Sequence, residues 1–118
     1  MRRPDSTPEP PRPRWYLVHD DCGVTALGER GPLAWAQIRE EGDRVCVEFE
    51  VSAVPEPVRL GTDLARDVFR HAALRSERPL LAALPHGSSE VLDEVRRHVP
   101  DARIRVAGAT CLVQGRVR

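Results

Sequence analysis

Apolar residues recur along this chain at two spacings, and the switch between them marks out its elements. From Arg44 to Ala53 the pattern alternates. Val45, Val47, Phe49 and Val51 fall on one face; Cys46, Glu48, Glu50 and Ser52 fall on the other. A period of two belongs to a half-buried strand, and this is the clearest strand of the chain. A proline turn then leads into Arg59-Leu-Gly-Thr62, and the period becomes helical over Asp63–Ala73. Leu60, Leu64, Val68 and Ala72, with Ala65 and Phe69, make one stripe, while Asp63, Arg66, Asp67 and Arg70 lie off it. Arg78-Pro79 closes that unit. The run Leu80–Leu84 is too short for a buried helix and predicts a strand covered on both faces. Ser88 is placed to cap a second helix, Ser89–Val99, apolar at Val91, Leu92, Val95 and Val99. Glu90 sits at its positive end and Arg96, Arg97 and His98 at its negative end, which suits the helix dipole. Pro100 stops it.

Shorter runs complete the reading. Trp15–Val18, Val24–Leu27 and Leu33–Ile38 are β-prone and separated by polar or glycine turns. Arg103–Val106 and Thr110–Val117 flank Ala107-Gly-Ala109. The predicted order is β-β-β-β-α-β-α-β-β. Short turns make the early strands antiparallel. The helical crossover makes the fourth and fifth parallel, with a right-handed connection. The expected fold class is α+β, a mixed sheet with two packing helices.

The 118 residues suit a single domain, 15–118, preceded by a tail. Residues 1–14 hold five prolines and four arginines with no apolar pattern, so the expectation there is a disordered or polyproline-like tail. Net charge is zero, which argues against a strong pull toward nucleic acid or membrane. All 18 basic residues are arginine, so lysine-base and Schiff-base chemistry is excluded. With five aromatics and no basic run interleaved with them, nucleic-acid binding has little support. No apolar run approaches the roughly 20 residues needed to cross a bilayer. Three unpaired-looking cysteines and no apolar leader point to a reducing cytoplasm.

A strand, a tight loop with a glycine and a helix is an arrangement in which many folds hold phosphate. Together with the element order, this stretch resembles the GNAT N-acetyltransferase superfamily. Val54-Pro-Glu56 is similar to the Val-x-Pro-Glu that enters the family's pyrophosphate loop. Arg59-Leu-Gly-Thr-Asp-Leu-Ala-Arg66 is similar to its Gly-Leu-Gly-Thr-x-Leu-Leu run. The resemblance implies a GNAT-like core and, where the site works, acetyl-CoA or another acyl-CoA held at Arg59, Leu60, Gly61, Thr62 and Asp63. It also implies a carboxylate base on the fourth strand, Glu48 or Glu50.

The departures from the family pattern are as informative. Aligning its last loop glycine on Gly61 puts Arg59 at the first glycine and Glu56 at the family's Gln/Arg. Only one glycine then remains to let the backbone approach a phosphate. Asp63 repels an anion there, and Arg59 partly offsets it. The family's first strand and first two helices, which shape the acceptor pocket, have no counterpart before Trp15. The resemblance thus points to a degenerate or truncated member.

Two functions follow. The first is a non-catalytic interaction or regulatory protein, a homo-oligomer or bound to a protein partner through a bare sheet face exposing Trp15, Leu17 and Trp35. The second is a minimal acyl-CoA-dependent N-acyltransferase. A strand-face reading competes with the catalytic one at Glu48 and Glu50. His19-Asp-Asp-Cys22 lacks a second ligand pair and reads as a turn rather than a metal site. No Gly-x-Ser-x-Gly elbow supports a serine nucleophile at Ser88 or Ser89.

Overall fold

In the computed structural model, which describes residues 14–53, 55–75 and 77–118, seven strands make one mixed sheet and two helices pack on it. In chain order they are β1 (Tyr16–Asp20), β2 (Gly23–Gly28), β3 (Gly31–Glu41), β4 (Arg44–Val51), α1 (Leu60–Val68), β5 (Pro79–Pro85), α2 (Ser89–His98), β6 (Arg103–Ala107) and β7 (Thr110–Arg116). This is the element order expected, and the class is α+β. Across the sheet the strands run β1-β2-β3-β4-β5-β7-β6. Every neighbouring pair is antiparallel except β4 and β5, whose link passes through α1. The tail expected over 1–14 lies, apart from Arg14, outside the described residues.

Strand alternation decides what is buried. Val45, Val47 and Phe49 of β4, Leu80, Ala82 and Leu84 of β5, and Val113 of β7 form one buried layer. Leu60, Leu64, Ala65 and Val68 of α1 and Val91 and Val95 of α2 close over it, and the two helices pack on each other. Each Val, Leu or Phe among these removed from water contributes roughly 1.5–3 kcal/mol.

Both helices lie on that face, so the opposite face is open among the described residues. The run Leu80–Leu84, expected to be covered twice, is covered once: Leu81 and Ala83 are only half-buried. Its continuous apolar character comes from a central place between β4 and β7, whose side chains flank it.

Of the three side chains expected on the bare face, Trp35 alone is there, 38% exposed. Trp15 and Leu17 pack against the core instead. Register explains the difference. Leu17 pairs with Ala26, a core residue, whereas Trp35 pairs with Thr25. Tyr16 and Val18 alternate with Leu17 and take the open side.

Boundaries moved where backbone geometry overrode side-chain pattern. β4 ends at Val51, because the next two amides, of Ser52 and Ala53, both donate to the Leu33 carbonyl at 2.8 and 3.1 Å. α1 starts earlier than the predicted Asp63 and ends at Val68. Beyond it, Arg70 and His71 bond three residues back, to the carbonyls of Asp67 and Val68, and Ala72 is exposed. Ser88 does precede α2, but at φ −78° and ψ 75° its hydroxyl makes no capping hydrogen bond. No helix of the described residues is long and apolar enough to cross a membrane.

Candidate functional site

The segment from Glu56 to Asp63 delivers the first turn of α1 to the C-terminal edge of β4. Arg59 precedes the helix in the left-handed region, φ 75° and ψ −6°. An L side chain there costs roughly 1–2 kcal/mol, and glycine would not incur it. The turn is held by Leu60 N–H donating to Pro57 O at 3.2 Å and Asp63 N–H donating to Arg59 O at 2.9 Å. The Arg59 guanidinium lies 3.6 Å from the Asp63 carboxylate and pairs with it.

A residue that sequence reasoning did not assign to this site fills it. Glu90 reaches across from α2. Its Oε2 accepts the Arg59 amide at 3.0 Å, and its Oε1 accepts both the Thr62 amide and the Thr62 hydroxyl at 3.1 Å. A carboxylate thus occupies the positive end of α1, where the helix dipole and free amides favour an anion. In the sequence Glu90 is legible only as the acidic residue in the first turn of α2; its reach to α1 comes from the packing of the two helices.

Two acids meet here. Burial pushes Glu90 up, but the Arg59 and Thr62 amides and the Thr62 hydroxyl outweigh it and hold its carboxyl below the usual glutamate range. Glu56 behaves oppositely. Burial raises it, and the Glu90 charge beside it raises it further. Among the described residues its Oε1 is buried with no hydrogen-bond partner.

Gly61, the one glycine of the loop, faces this pair. A Cβ built on it would stand 2.9 Å from Glu56 Oε1, 3.0 Å from Val91 Cγ2 and 3.1 Å from Glu90 Cβ. The missing side chain lets α2 and Glu56 come close.

The strands diverge near the same end. β4 and β5 pair only from Val45↔Leu80 to Glu48↔Ala83, and beyond that point they are no longer partners. Glu48 is the last paired residue and Glu50 lies past the split. Both are exposed and point to the open face of the sheet. Glu48 Oε1 lies 3.5 Å from the Arg39 guanidinium, and both side chains are about half exposed. The structure therefore separates the predicted residues into two sets. Arg59 to Asp63 lie at the helix start beside Glu90, whereas Glu48 and Glu50 lie on the uncovered side.

A cleft of about 930 Å³ adjoins Arg59 and Asp63. Trp15, Leu33 and Val58 contribute apolar lining, Arg14, Arg30 and Arg59 are the cationic members, and Glu29 and Asp63 the anionic ones. Such a volume suits a small molecule.

His19, read with its neighbours as a turn, belongs to β1 and pairs with the buried Asp67 of α1. Among the described residues no group of three or more His, Cys, Asp or Glu gathers as metal ligands. Cys22 is exposed, Cys46 and Cys111 are buried, and all three are free thiols.

No protein-family model matches the sequence, and no curated protein matches it. Solved structures do match the fold. A GNAT superfamily phosphinothricin acetyltransferase (Pat) from Sinorhizobium meliloti, in complex with AcCoA, is similar with a TM-score of 0.52 and 18% identity. The likeness covers 80% of this chain and 60% of that one, so the chain spans less than two thirds of that enzyme. A putative acetyltransferase from Sphaerobacter thermophilus DSM 20745 is similar with a TM-score of 0.51 and 12% identity, over 89% of this chain and 70% of that one. At these identities the likeness is one of fold: the chain has a GNAT-like α+β core.

Proposed function

We propose that this chain is a degenerate GNAT-like protein of the cytoplasm whose coenzyme loop no longer serves a coenzyme, and that it acts as an interaction or regulatory protein. One observation carries this reading: the Glu90 carboxylate takes the amides of Arg59 and Thr62. A pyrophosphate at α1 would compete for those donors against an anion tethered in place. It would also meet the charge of Asp63 and the buried oxygen of Glu56. Two like charges about 4 Å apart repel by several kcal/mol near a protein surface. The residues at α1 therefore do not suit a bound pyrophosphate. The open face of the sheet, with Trp35 and Val18 exposed on it, offers a surface for a partner.

The second reading is a minimal acetyl- or acyl-CoA-dependent N-acyltransferase. The divergence of β4 and β5 after Glu48↔Ala83 favours it, since an opening between strands with two carboxylates at its mouth gives room for a substrate and a base. In that reading Glu48 or Glu50 is the base.

Thermal melting with saturating acetyl-CoA, and separately with free CoA, tests the choice. A ligand at 100 times its dissociation constant adds about 2.7 kcal/mol, several degrees in a domain of this size. The expected result is an unchanged midpoint with both. A rise of several degrees with both would overturn the non-catalytic reading.

A further inference from the structure

The open face of the sheet has a charge pattern that is complementary to itself. The pairing registers align Glu48 with Ala83, Ala83 with Leu112, and Leu112 with Arg105, one row crossing β4, β5, β7 and β6. The adjacent row runs Cys46, Leu81, Gln114, Arg103. In both rows these side chains point away from the helices, because Val47, Ala82 and Val113 between them point into the core. One end of the patch therefore carries Glu48 and Glu50, with Arg44 further along the same face of β4 and Arg39 of β3 beside Glu48, and the other is basic, at Arg103 and Arg105. Half-buried Leu81, Ala83 and Leu112 lie between. Three strand spacings, about 14 Å, separate Glu48 from Arg105.

From this pattern we propose that the open face is the contact surface of a homodimer, in which a second copy stacks its own open face on the first. The proposal rests on the interaction-protein reading above and names its partner. A two-fold axis lying in the interface, along the strands and between β5 and β7, sets each Glu48 over Arg105 of the second copy and each Ala83 over Leu112. Glu50 reaches the same arginine on the diagonal. Contacts of this kind are isologous, so every pair forms twice and the assembly closes at two. Two sheets packed face to face, nearly aligned, are a standard layer arrangement. The pair Arg39–Glu48 within one chain is exposed and worth little alone, and it becomes part of a larger network when Arg105 of the second copy approaches. Pairing through the β6 edge is disfavoured, because an antiparallel match about Ile104 opposes Arg103 and Arg105, like charge against like.

Sedimentation velocity on the full chain and three variants tests the proposal. Wild type sediments as a dimer at micromolar concentration. Glu48→Arg with Glu50→Arg, and separately Arg103→Glu with Arg105→Glu, each oppose like charges twice and weaken association by about 100-fold or more. All four positions are exposed, and circular dichroism confirms that each variant folds. Mixing the two weakened variants restores a dimer, one chain of each kind, because every contact is then of opposite sign. The chain carrying all four reversals also pairs with itself. A monomeric wild type, a dimer indifferent to the reversals, or a mixture that stays monomeric would each overturn the proposal. These outcomes are independent of coenzyme melting: a coenzyme shift with the dimer intact removes the non-catalytic reading and leaves the pairing, and the reverse result does the opposite.

Discussion

Thr62 on α1 and Glu90 on α2 are joined twice, since one carboxylate oxygen of Glu90 accepts the threonine amide and the threonine hydroxyl, each at 3.1 Å. The bond ties the start of one helix to the start of the next, and it puts a protein anion on the helix dipole. Glu90→Ala removes the acceptor from three donors. A lost helix cap of this kind costs about 0.5–2 kcal/mol, and stranded part-buried donors place the effect at the upper end of that range. The midpoint of thermal melting drops by several degrees. The same variant gains a melting shift with inorganic phosphate or CoA that wild type lacks, because the amides of Arg59 and Thr62 are released. No drop in the midpoint would show that the cap carries no weight.

The two acids at this junction respond to pH in opposite directions. Glu90 is held below its unfolded value of about 4.3, so its stabilisation is present above that value and lost as pH falls through its lower folded pKa. Glu56 is raised, so the folded chain prefers its neutral form. Its contribution is full below about pH 4.3 and is lost as pH rises through its higher folded pKa. Glu56→Gln therefore melts higher than wild type at pH 7, and the gap closes toward pH 4. Glu90→Gln shows the reverse, with its deficit largest at neutral pH. Parallel profiles for the two variants would contradict this division.

The order of elements was legible in the chain because each long element carries a clean period. Val45, Val47 and Phe49 give two, and Leu60, Leu64 and Val68 give a helical stripe. What pattern alone could not supply was which side of the sheet the helices take. Leu81 and Ala83 look as apolar as Leu80 and Ala82, yet only the latter meet a helix. Trp15 and Leu17 turn to the core side for a related reason: one residue of register decides the side, and the short β1 has too few residues to declare it. At the site, Arg59 to Thr62 were legible as the loop entering a helix, although the helix already begins at Leu60, whereas Glu90, 28 positions from Thr62, was not legible as part of it. Its role depends on how closely α2 approaches α1, a tertiary distance.

That approach makes a sharp case of Gly61. In an open helix, glycine to alanine gains up to about 1 kcal/mol of propensity. Here the new methyl meets Val91 Cγ2 at 3.0 Å and Glu56 Oε1 at 2.9 Å. Overpacking of this sort costs about 1–3 kcal/mol, so the clash outweighs the propensity and Gly61→Ala is destabilised. Urea unfolding checks the sign. A stabilised variant would mean that α2 is free to move back. Combined with Val91→Ala, which removes a fully buried side chain, the two losses sum to more than the double variant shows, because the added methyl fills part of the space the valine leaves.

Arg78 holds together three parts of the chain that no local pattern connects. Its side chain is 15% exposed and pairs with Glu40 of β3. It also donates to the carbonyls of Asp43 at 3.1 Å, of Gly42 at 3.4 Å and of Ala73 at 3.1 Å. The first contacts lie on the β3–β4 hairpin; the last lies on the segment after α1. Arg78→Ala leaves those carbonyls without their donor and removes the packing of the arginine stem. With hydrogen bonds to a charged group worth about 1.5–3 kcal/mol, the expected loss is about 2–4 kcal/mol, among the largest for a single residue outside the core. Arg78→Lys recovers only a fraction, because one ammonium cannot match the fork that serves Glu40 and three carbonyls in different directions. Glu40 is exposed, so Glu40→Gln loses much less than Arg78→Ala. Equal losses in the two variants would place the stability in the ion pair instead of the carbonyl contacts. Denaturant unfolding of the three chains, compared at one salt concentration and again at high salt, separates them: the ion pair weakens with screening and the carbonyl bonds do not.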